Sequence, residues 1–371
     1  MTSATVPVPV AGAGYDVVLG AGLLAHLDEL VRGRCPASRY AVITDSTVAQ
    51  HYGKRVAQML DDGTSPSVLA IFPAGEWNKT RETWASLTDQ LLTARLDREA
   101  AIVAVGGGVV GDLAGFVAAT YQRGIPHVQV PTSLLAMIDS SIGGKTGVDT
   151  SHGKNLVGAF HQPRLVLTDV ETLATLPPVQ LASGMAEAIK HGVIADAVYL
   201  DALLEGADAV RAGETEVRAA VVRRSVEIKA AIVAEDEREA GRRAVLNFGH
   251  TVAHALETAL GYELLHGEAV AIGMAVESAL GERLGVTHRS VADAVRDALE
   301  ALRLPTELPG GAAPDQVLEI LRRDKKVRAG TVRFALPRRL GEMARADDGS
   351  WTIAVPEADV LDTLRASHPR A

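Results

Sequence analysis

The spacing of apolar residues changes character midway along the chain. In the first half, short apolar runs rich in Val, Ile and Tyr read as strands at residues 15–20, 39–46, 67–74, 100–106, 127–131 and 164–170. Between them, residues 75–96 carry Trp84, Leu87, Leu91 and Leu92 at helical spacing, and a second helix follows the glycine turn at 106–108. Strands that alternate with helices predict a parallel sheet, with ligands beyond the carboxyl ends of its strands. Pro177 and Pro178 mark a boundary. Beyond it the 3.6-residue period dominates, with a short hairpin after the helix that ends with Lys325 and Lys326. The pattern predicts a Rossmann-like α/β nucleotide-binding domain over 1–178 and a mainly α-helical domain over 179–371.

Three polar or glycine-rich stretches interrupt this pattern. Gly106, Gly108 and Gly111 fit G-x-G-x-x-G between a strand and a helix, where backbone N–H groups can approach a pyrophosphate. The acidic residue expected about 20 positions later is missing, so Asp45, at the end of an earlier strand, is the candidate for a ribose. Asp112 also suits a helix N-terminus through the dipole alone. Residues 132–163 read as a long Gly-rich loop around Lys145, Lys154 and Asn155. With Arg123 these suit a phosphorylated ligand. Its GGKT run is not a P-loop, because the first glycine of that pattern falls at Asp139. The third stretch, residues 246–270, holds His250, His254 and His266. His250 and His254 share a helix face with Asn247. At that spacing histidines on a capped surface helix are the plainer reading and a metal pair is the alternative. Glu187, Lys190 and His191 share a face of an otherwise apolar helix, where a carboxylate is a candidate third metal ligand.

Composition narrows the reading. The chain of 371 residues has a net charge of −9 and only 4% aromatics, which argues against a nucleic-acid surface. Cys35 is its one cysteine, so an intrachain disulfide and a four-thiolate zinc site are excluded. No Lys or Arg precedes Arg32, unlike a secretory signal, and no apolar run reaches the ~20 residues of a bilayer span. These features predict a cytoplasmic protein without membrane or nucleic-acid partners. Eight lysines stand against 29 arginines. Arg is the default cation here, so most lysines mark places where a compact ammonium is wanted.

Jointly, AVGGGVVGDLAGFVAATYQRG, VPTSLLAMIDSSIGGKTGVD, GKNLVGAF, LASGMAEAIKHG, KAAIVAEDERE, LNFGHTVAHALE, LHGEAVAIGM and RDKKV resemble the 3-dehydroquinate synthase family of the sugar phosphate cyclases, over nearly the whole chain. The resemblance implies a lyase of the shikimate pathway to chorismate and aromatic amino acids. Such an enzyme converts 3-deoxy-D-arabino-heptulosonate 7-phosphate to 3-dehydroquinate and phosphate with catalytic NAD+ and Zn2+, Co2+ being an alternative metal. It implies a homodimer and a small phosphorylated sugar-acid substrate. By motif, Glu187, His250 and His266 would bind the metal, while His254 turns to the substrate phosphate with Arg123, Lys145, Asn155, Asn247 and one of Lys325 or Lys326. Asp139, Lys190, Lys229 and Arg243 would hold the substrate hydroxyls and carboxylate. NAD+ would meet Asp45, Glu76, Lys79, Gly108, Val109, Val110, Gly111, Asp112, Thr132, Ser133, Lys145, Lys154 and the Thr172, Leu173, Ala174, Thr175 turn. Ser133 stands where Thr is more usual. The alternatives are a sister cyclase acting on another sugar phosphate or an amino analogue, a metal-dependent polyol dehydrogenase, and a non-catalytic nucleotide-binding module.

Overall fold

A computed structural model describes residues 3–12, 14–63, 66–261, 263–323 and 331–369. The chain forms two compact units, the first comprising residues 1–177 and 213–237, the second residues 178–212 and 238–371.

The first unit is built on a seven-stranded sheet of β1 (Ala4–Val8), β2 (Tyr15–Gly20), β3 (Tyr40–Asp45), β4 (Val68–Phe72), β5 (Ala101–Gly106), β6 (His127–Pro131) and β9 (Leu165–Asp169), in the order β1-β2-β9-β6-β5-β3-β4. Only β1 runs antiparallel to its neighbour. The sequence pattern missed β1 because Pro7 interrupts it. On an edge strand that proline is tolerated, and Val6 and Val8 still alternate inward.

Helices cover both faces of the sheet. On one, Ala41, Ile43, Ile102 and Ala104 meet Leu87 and Leu91 of α3 (Arg81–Thr93) and Leu113 and Val117 of α4 (Gly108–Thr120). On the other, Val42, Val103, Val105 and Val130 meet Leu27 and Val31 of α1 (Leu27–Arg34) and Val56 and Leu60 of α2 (Lys54–Leu60). Burial on both faces explains why these strands read as unbroken apolar runs.

Two expectations are corrected here. Residues 132–163 are not one long loop: β7 (Lys145–Thr150) and β8 (Gly153–Phe160) pair as an antiparallel hairpin packed on α4. Its glycines lie in strands because the backbones approach closely, and a Cβ on Gly158 would come 2.1 Å from the Thr146 carbonyl. The single cut at Pro178 also differs from the packing. Helix α8 (Thr215–Glu235) lies beyond that point, yet it packs on β1, β2 and the turn Ala136–Ser140 of the first unit.

The second unit contains α5 (Pro178–Ala195), α6 (Ala197–Glu205), α7 (Ala207–Ala212), α9 (His250–Ala259), α10 (His266–Arg283), α11 (Arg289–Ala301), α12 (Pro314–Arg323) and α13 (Glu357–Ala366). The strand after α12 is not a local hairpin: β10 (Val332–Phe334) pairs with the distant β13 (Ile353–Val355), while β11 (Pro337–Arg339) and β12 (Glu342–Met343) form the hairpin. A core of Val252, Leu256, Ile272, Val276, Leu318 and Phe334 joins α9, α10, α12 and β10. No helix among the described residues is long and apolar enough to cross a membrane.

Candidate active site

In the first unit the candidate nucleotide residues gather at the carboxyl ends of the parallel strands. Strand β5 ends at Gly106 and α4 starts at Gly108, so the helix N-terminus faces this edge. The glycines are needed for packing as well as for access: a Cβ on Gly111 would come 2.7 Å from Gln129 Oε1. Thr132 N–H donates to the Gly106 carbonyl at 2.9 Å, and Ser133 Oγ accepts from Ala136 N–H at 3.3 Å, so the turn after β6 lies alongside the glycine turn. Asp45 ends β3, where its Oδ1 accepts from the N–H groups of Thr47 and Val48 at 2.8 and 2.9 Å. Thr172 to Thr175 form a tight turn after β9. Tyr52 Oη holds it, donating to the Thr172 carbonyl at 3.1 Å and lying 2.8 Å from Thr175 Oγ1.

Beside these, Lys79 is buried against Asp112 Oδ2 at 2.5 Å and donates to Asn155 Oδ1 at 2.6 Å. Burial works against its charge, but Asp112, then Glu76 and Asp149, hold its value above that of a free lysine. Lys154 pairs with Glu76 at 3.2 Å. Asn155 adopts a left-handed backbone (φ 55°), which Asn tolerates better than most residues. Lys229 of α8 donates to Asp139 Oδ1 at 2.6 Å and to the Asp139 carbonyl at 2.7 Å.

The phosphate group expected from sequence is only partly gathered within this unit. Lys145 pairs with Phe160 at one end of the hairpin, while Asn155 sits opposite Asp149 near the other. Four strand residues separate them, about 13 Å of backbone. Arg123, exposed, lies just past the C-terminus of α4, the opposite end of that helix from the glycine turn. Lys325 and Lys326 lie outside the described residues.

In the second unit three helices converge. Glu187 comes from the middle of α5, and His250 and His266 are the first residues of α9 and α10. The turns before both histidines are set by buried contacts. Gly249 has a left-handed backbone (φ 81°), and its N–H donates to Glu277 Oε2 of α10 at 2.8 Å while Val252 N–H donates to Oε1 at 3.1 Å. A wholly buried carboxylate thus caps α9. Gly267 N–H donates to Ser183 Oγ of α5 at 3.0 Å, tying α10 to α5.

Glu187 Oε1 lies 3.3 Å from His250 Nε2 and 3.6 Å from His266 Nε2. Ligand atoms from all three residues fall within 4.8 Å of one another. That carboxylate oxygen is buried and makes no hydrogen bond of good geometry, so the three groups point at a common place without satisfying each other. Two imidazoles and a carboxylate arranged so fit a divalent cation with a position left for substrate. The Lys190 ammonium contacts the other Glu187 oxygen. Burial raises the Glu187 value, but Lys190 and His250 outweigh it and keep the carboxylate ionised. Burial, then Lys190, keeps His250 neutral, as a ligand must be. His254, which spacing offered as the partner of His250, stands with its ring centroid 5.7 Å from that of His250 and 6.5 Å from that of His266, outside the converging set. Asn247 donates to Glu239 Oε1, and Arg243 is nearly fully buried.

Sequence reasoning passed over Glu257 and Glu277. Both are buried carboxylates within otherwise apolar helix faces, and that break in the pattern was the available signal.

Residues 69–183 match the 3-dehydroquinate synthase N-terminal family model, and residues 184–327 match its C-terminal counterpart. The chain is 50% identical over 338 residues to the 3-dehydroquinate synthase of Symbiobacterium thermophilum, covering 91% of this chain and 94% of that one. Among solved structures it resembles a 2-deoxy-scyllo-inosose synthase complexed with carbaglucose-6-phosphate, NAD+ and Co2+, with a TM-score of 0.88, 26% identity, and 98% and 100% of the two chains covered. It also resembles ValA, the 2-epi-5-epi-valiolone synthase of Streptomyces hygroscopicus subsp. jinggangensis 5008, solved with NAD+ and Zn2+ bound, with a TM-score of 0.85, 31% identity, and 96% and 98% covered.

Proposed function

The chain belongs to the 3-dehydroquinate synthase family, and we propose the residue roles by which it carries out that family's reaction. It is a phosphate-eliminating cyclase that uses NAD+ and a divalent metal, zinc or cobalt, to convert 3-deoxy-D-arabino-heptulosonate 7-phosphate to 3-dehydroquinate and phosphate, in the shikimate pathway. The observation that carries the assignment of roles is the convergence of Glu187, His250 and His266.

A metal held there would supply polarisation of a substrate hydroxyl, and bound NAD+ would supply a reversible hydride acceptor, its reduced form giving the hydride back. Glu187, His250 and His266 would hold the metal. Lys190, held against Glu187, presents a proton donor to a substrate oxygen at the same place. The Asp139–Lys229 pair offers an acceptor and a donor to further hydroxyls. Arg243 takes the substrate carboxylate as a planar fork. His254 and Asn247 bind the phosphate, stabilising the charge that grows as it leaves, and Asn155, Lys145, Arg123 and Lys325 or Lys326 are assigned to it from the family motifs alone. The leaving phosphate, held by these donors, is itself the base for the adjacent C–H. NAD+ is held by Asp45, Glu76, Lys79, Gly108 to Asp112, Thr132, Ser133, Lys145, Lys154 and Thr172 to Thr175. The gathering of most of these at one sheet edge supports that reading.

The boundary at 178 divides NAD+ binding from metal binding in function, with α8 bringing Lys229 to the first part. The proposed working form is a cytoplasmic homodimer that engages no nucleic acid; the similarity to a bacterial 3-dehydroquinate synthase supports the location and the net charge of −9 the lack of nucleic acid, while the dimer is carried over from the family resemblance.

The metal-loaded protein, incubated with the heptulosonate phosphate and substoichiometric NAD+, is expected to release phosphate and dehydroquinate in equal amounts without net NADH. Absence of phosphate release, or NADH accumulation on a simple polyol, would overturn the assignment.

A further inference from the structure

We propose that Glu257 is a positioning residue for the metal: its carboxylate accepts the Nδ1 proton of His266 and thereby fixes Nε2 as the atom that faces the cation. The inference rests on the metal reading of Glu187, His250 and His266.

Glu257 lies on α9 seven residues after His250, two turns along the same face. The helix therefore presents one proposed ligand itself and reaches behind the other. Glu257 is 1% exposed, on a helix whose neighbours Val252, Ala255 and Leu256 enter the apolar core. Burying a carboxylate there costs several kcal/mol unless something compensates it. Its Oε1 lies 3.3 Å from His266 Nδ1. With Nδ1 carrying the proton, Nε2 keeps its lone pair, and Nε2 is the atom 3.6 Å from Glu187 Oε1.

The two histidines are held differently. His250 Nδ1 lies 3.2 Å from the Phe248 carbonyl, a neutral acceptor, whereas His266 has an anion behind it. Both contacts leave Nε2 facing inward, and the anionic one makes His266 the more electron-rich donor. The charges also match a divalent ion. Glu187 and Glu257 contribute two negative charges and Lys190 one positive. With both imidazoles neutral, as they would be on a metal, this set carries one excess negative charge to meet the cation. His266 is also the more exposed of the two imidazoles, so packing alone holds it less firmly and an orienting partner matters more.

The test compares zinc affinity by chelator competition, and the visible absorption of the cobalt-loaded protein, in the wild type, Glu257→Gln, Glu257→Leu, Glu187→Gln and His266→Ala. Glu257→Leu is expected to weaken zinc binding by about 10- to 100-fold. Glu257→Gln keeps an acceptor of the same shape without the charge and is expected to lose less. Both should shift the cobalt bands, which a merely structural role would leave unchanged once metal is bound, and both should leave NAD+ affinity unaltered. If Glu257→Leu does not fold, Glu257→Gln and the wild type decide. In zinc-loaded wild type labelled with 15N-histidine, His266 should show a protonated Nδ1. Zinc affinity of Glu257→Gln within twofold of wild type together with an unshifted cobalt spectrum, or a His266 with Nδ1 unprotonated, would overturn the proposal. Undiminished zinc binding by Glu187→Gln and His266→Ala would overturn the metal reading, and this inference with it.

Discussion

His254 and His266 show how far residue spacing carries. On α9, His254 is the natural partner of His250, four residues on. The atoms that converge on Glu187 Oε1 instead come from His250 and His266, sixteen residues apart and on different helices. No periodicity links them, because their proximity is made by the packing of α9 on α10, and only the family motifs pointed to His266. His266→Ala is expected to lose zinc by at least a hundredfold in chelator competition, while His254→Ala keeps zinc within a fewfold and raises KM for the phosphorylated substrate. Equal loss of zinc in both would return the metal to the spacing pair. A second histidine makes a different test. His127 is 1% exposed, stacks on His161 with ring centroids 5.0 Å apart, and has no hydrogen-bond partner on either ring nitrogen. Burial, and then His161, pushes its pKa down to about 3. The folded state thus refuses a proton that the unfolded chain accepts near pH 6.5. Its contribution is fully present above that value and is lost as pH falls toward 3, on the order of 5 kcal/mol in all. Urea unfolding of wild type and His127→Leu at pH 7.5 and 4.5 checks this. Wild type should lose stability relative to His127→Leu at the lower pH, and a difference independent of pH would refute it.

At the scale of elements, the inner strands β3, β5, β6 and β9 were legible because they are buried on both faces and mostly apolar, whereas the edge strand β1 was not. The helix starts at Gly108 and His266 were legible from the glycine turns before them. What could not be read was how closely elements approach. Gly273 of α10 faces the backbone of Gly249, and a Cβ there would come 1.9 Å from that carbonyl oxygen. In the sequence Gly273 is only a weak position in a good helix. In the fold it sets the distance between the helices that begin with the two histidines. Gly273→Ala should therefore reverse the usual helix-propensity gain, lowering stability by about 1–3 kcal/mol through overpacking and weakening zinc together with it. A paired measurement of melting temperature and zinc affinity separates this from a simple helix effect, since greater stability with unchanged zinc would show that the approach is not limiting. The hairpin of β7 and β8 was obscured in the same way. Gly147 and Gly158 look like loop residues in a single sequence, yet they are cross-strand neighbours that only a bare backbone permits.

For the whole molecule, chain order and packing order diverge at α8. The chain leaves the first unit at Pro177, passes through α5, α6 and α7 of the second, and returns for Gly213–Glu237. A linear reading cannot show this, because a helix after a proline boundary looks the same whichever unit it packs on. The consequence is thermodynamic as well as topological. α8 buries Val221, Val222, Val226, Ile228, Ile232 and Val233. At about 1.5–3 kcal/mol for each fully buried aliphatic side chain, these contribute on the order of 10 kcal/mol, comparable to the entire net stability of a typical domain. The same helix supplies Lys229, which pairs with Asp139 of the first unit. A fragment ending at residue 178 is therefore expected to remain unfolded by circular dichroism, although it contains every strand of the sheet and every proposed NAD+ contact. Joining residues 213–237 to it through a flexible linker should restore cooperative unfolding and NAD+ binding. If the shorter fragment already folds and binds NAD+, α8 is a passenger on that unit. If the linked fragment also fails, the stability of the first unit depends on the second, and cooperativity extends over the whole chain.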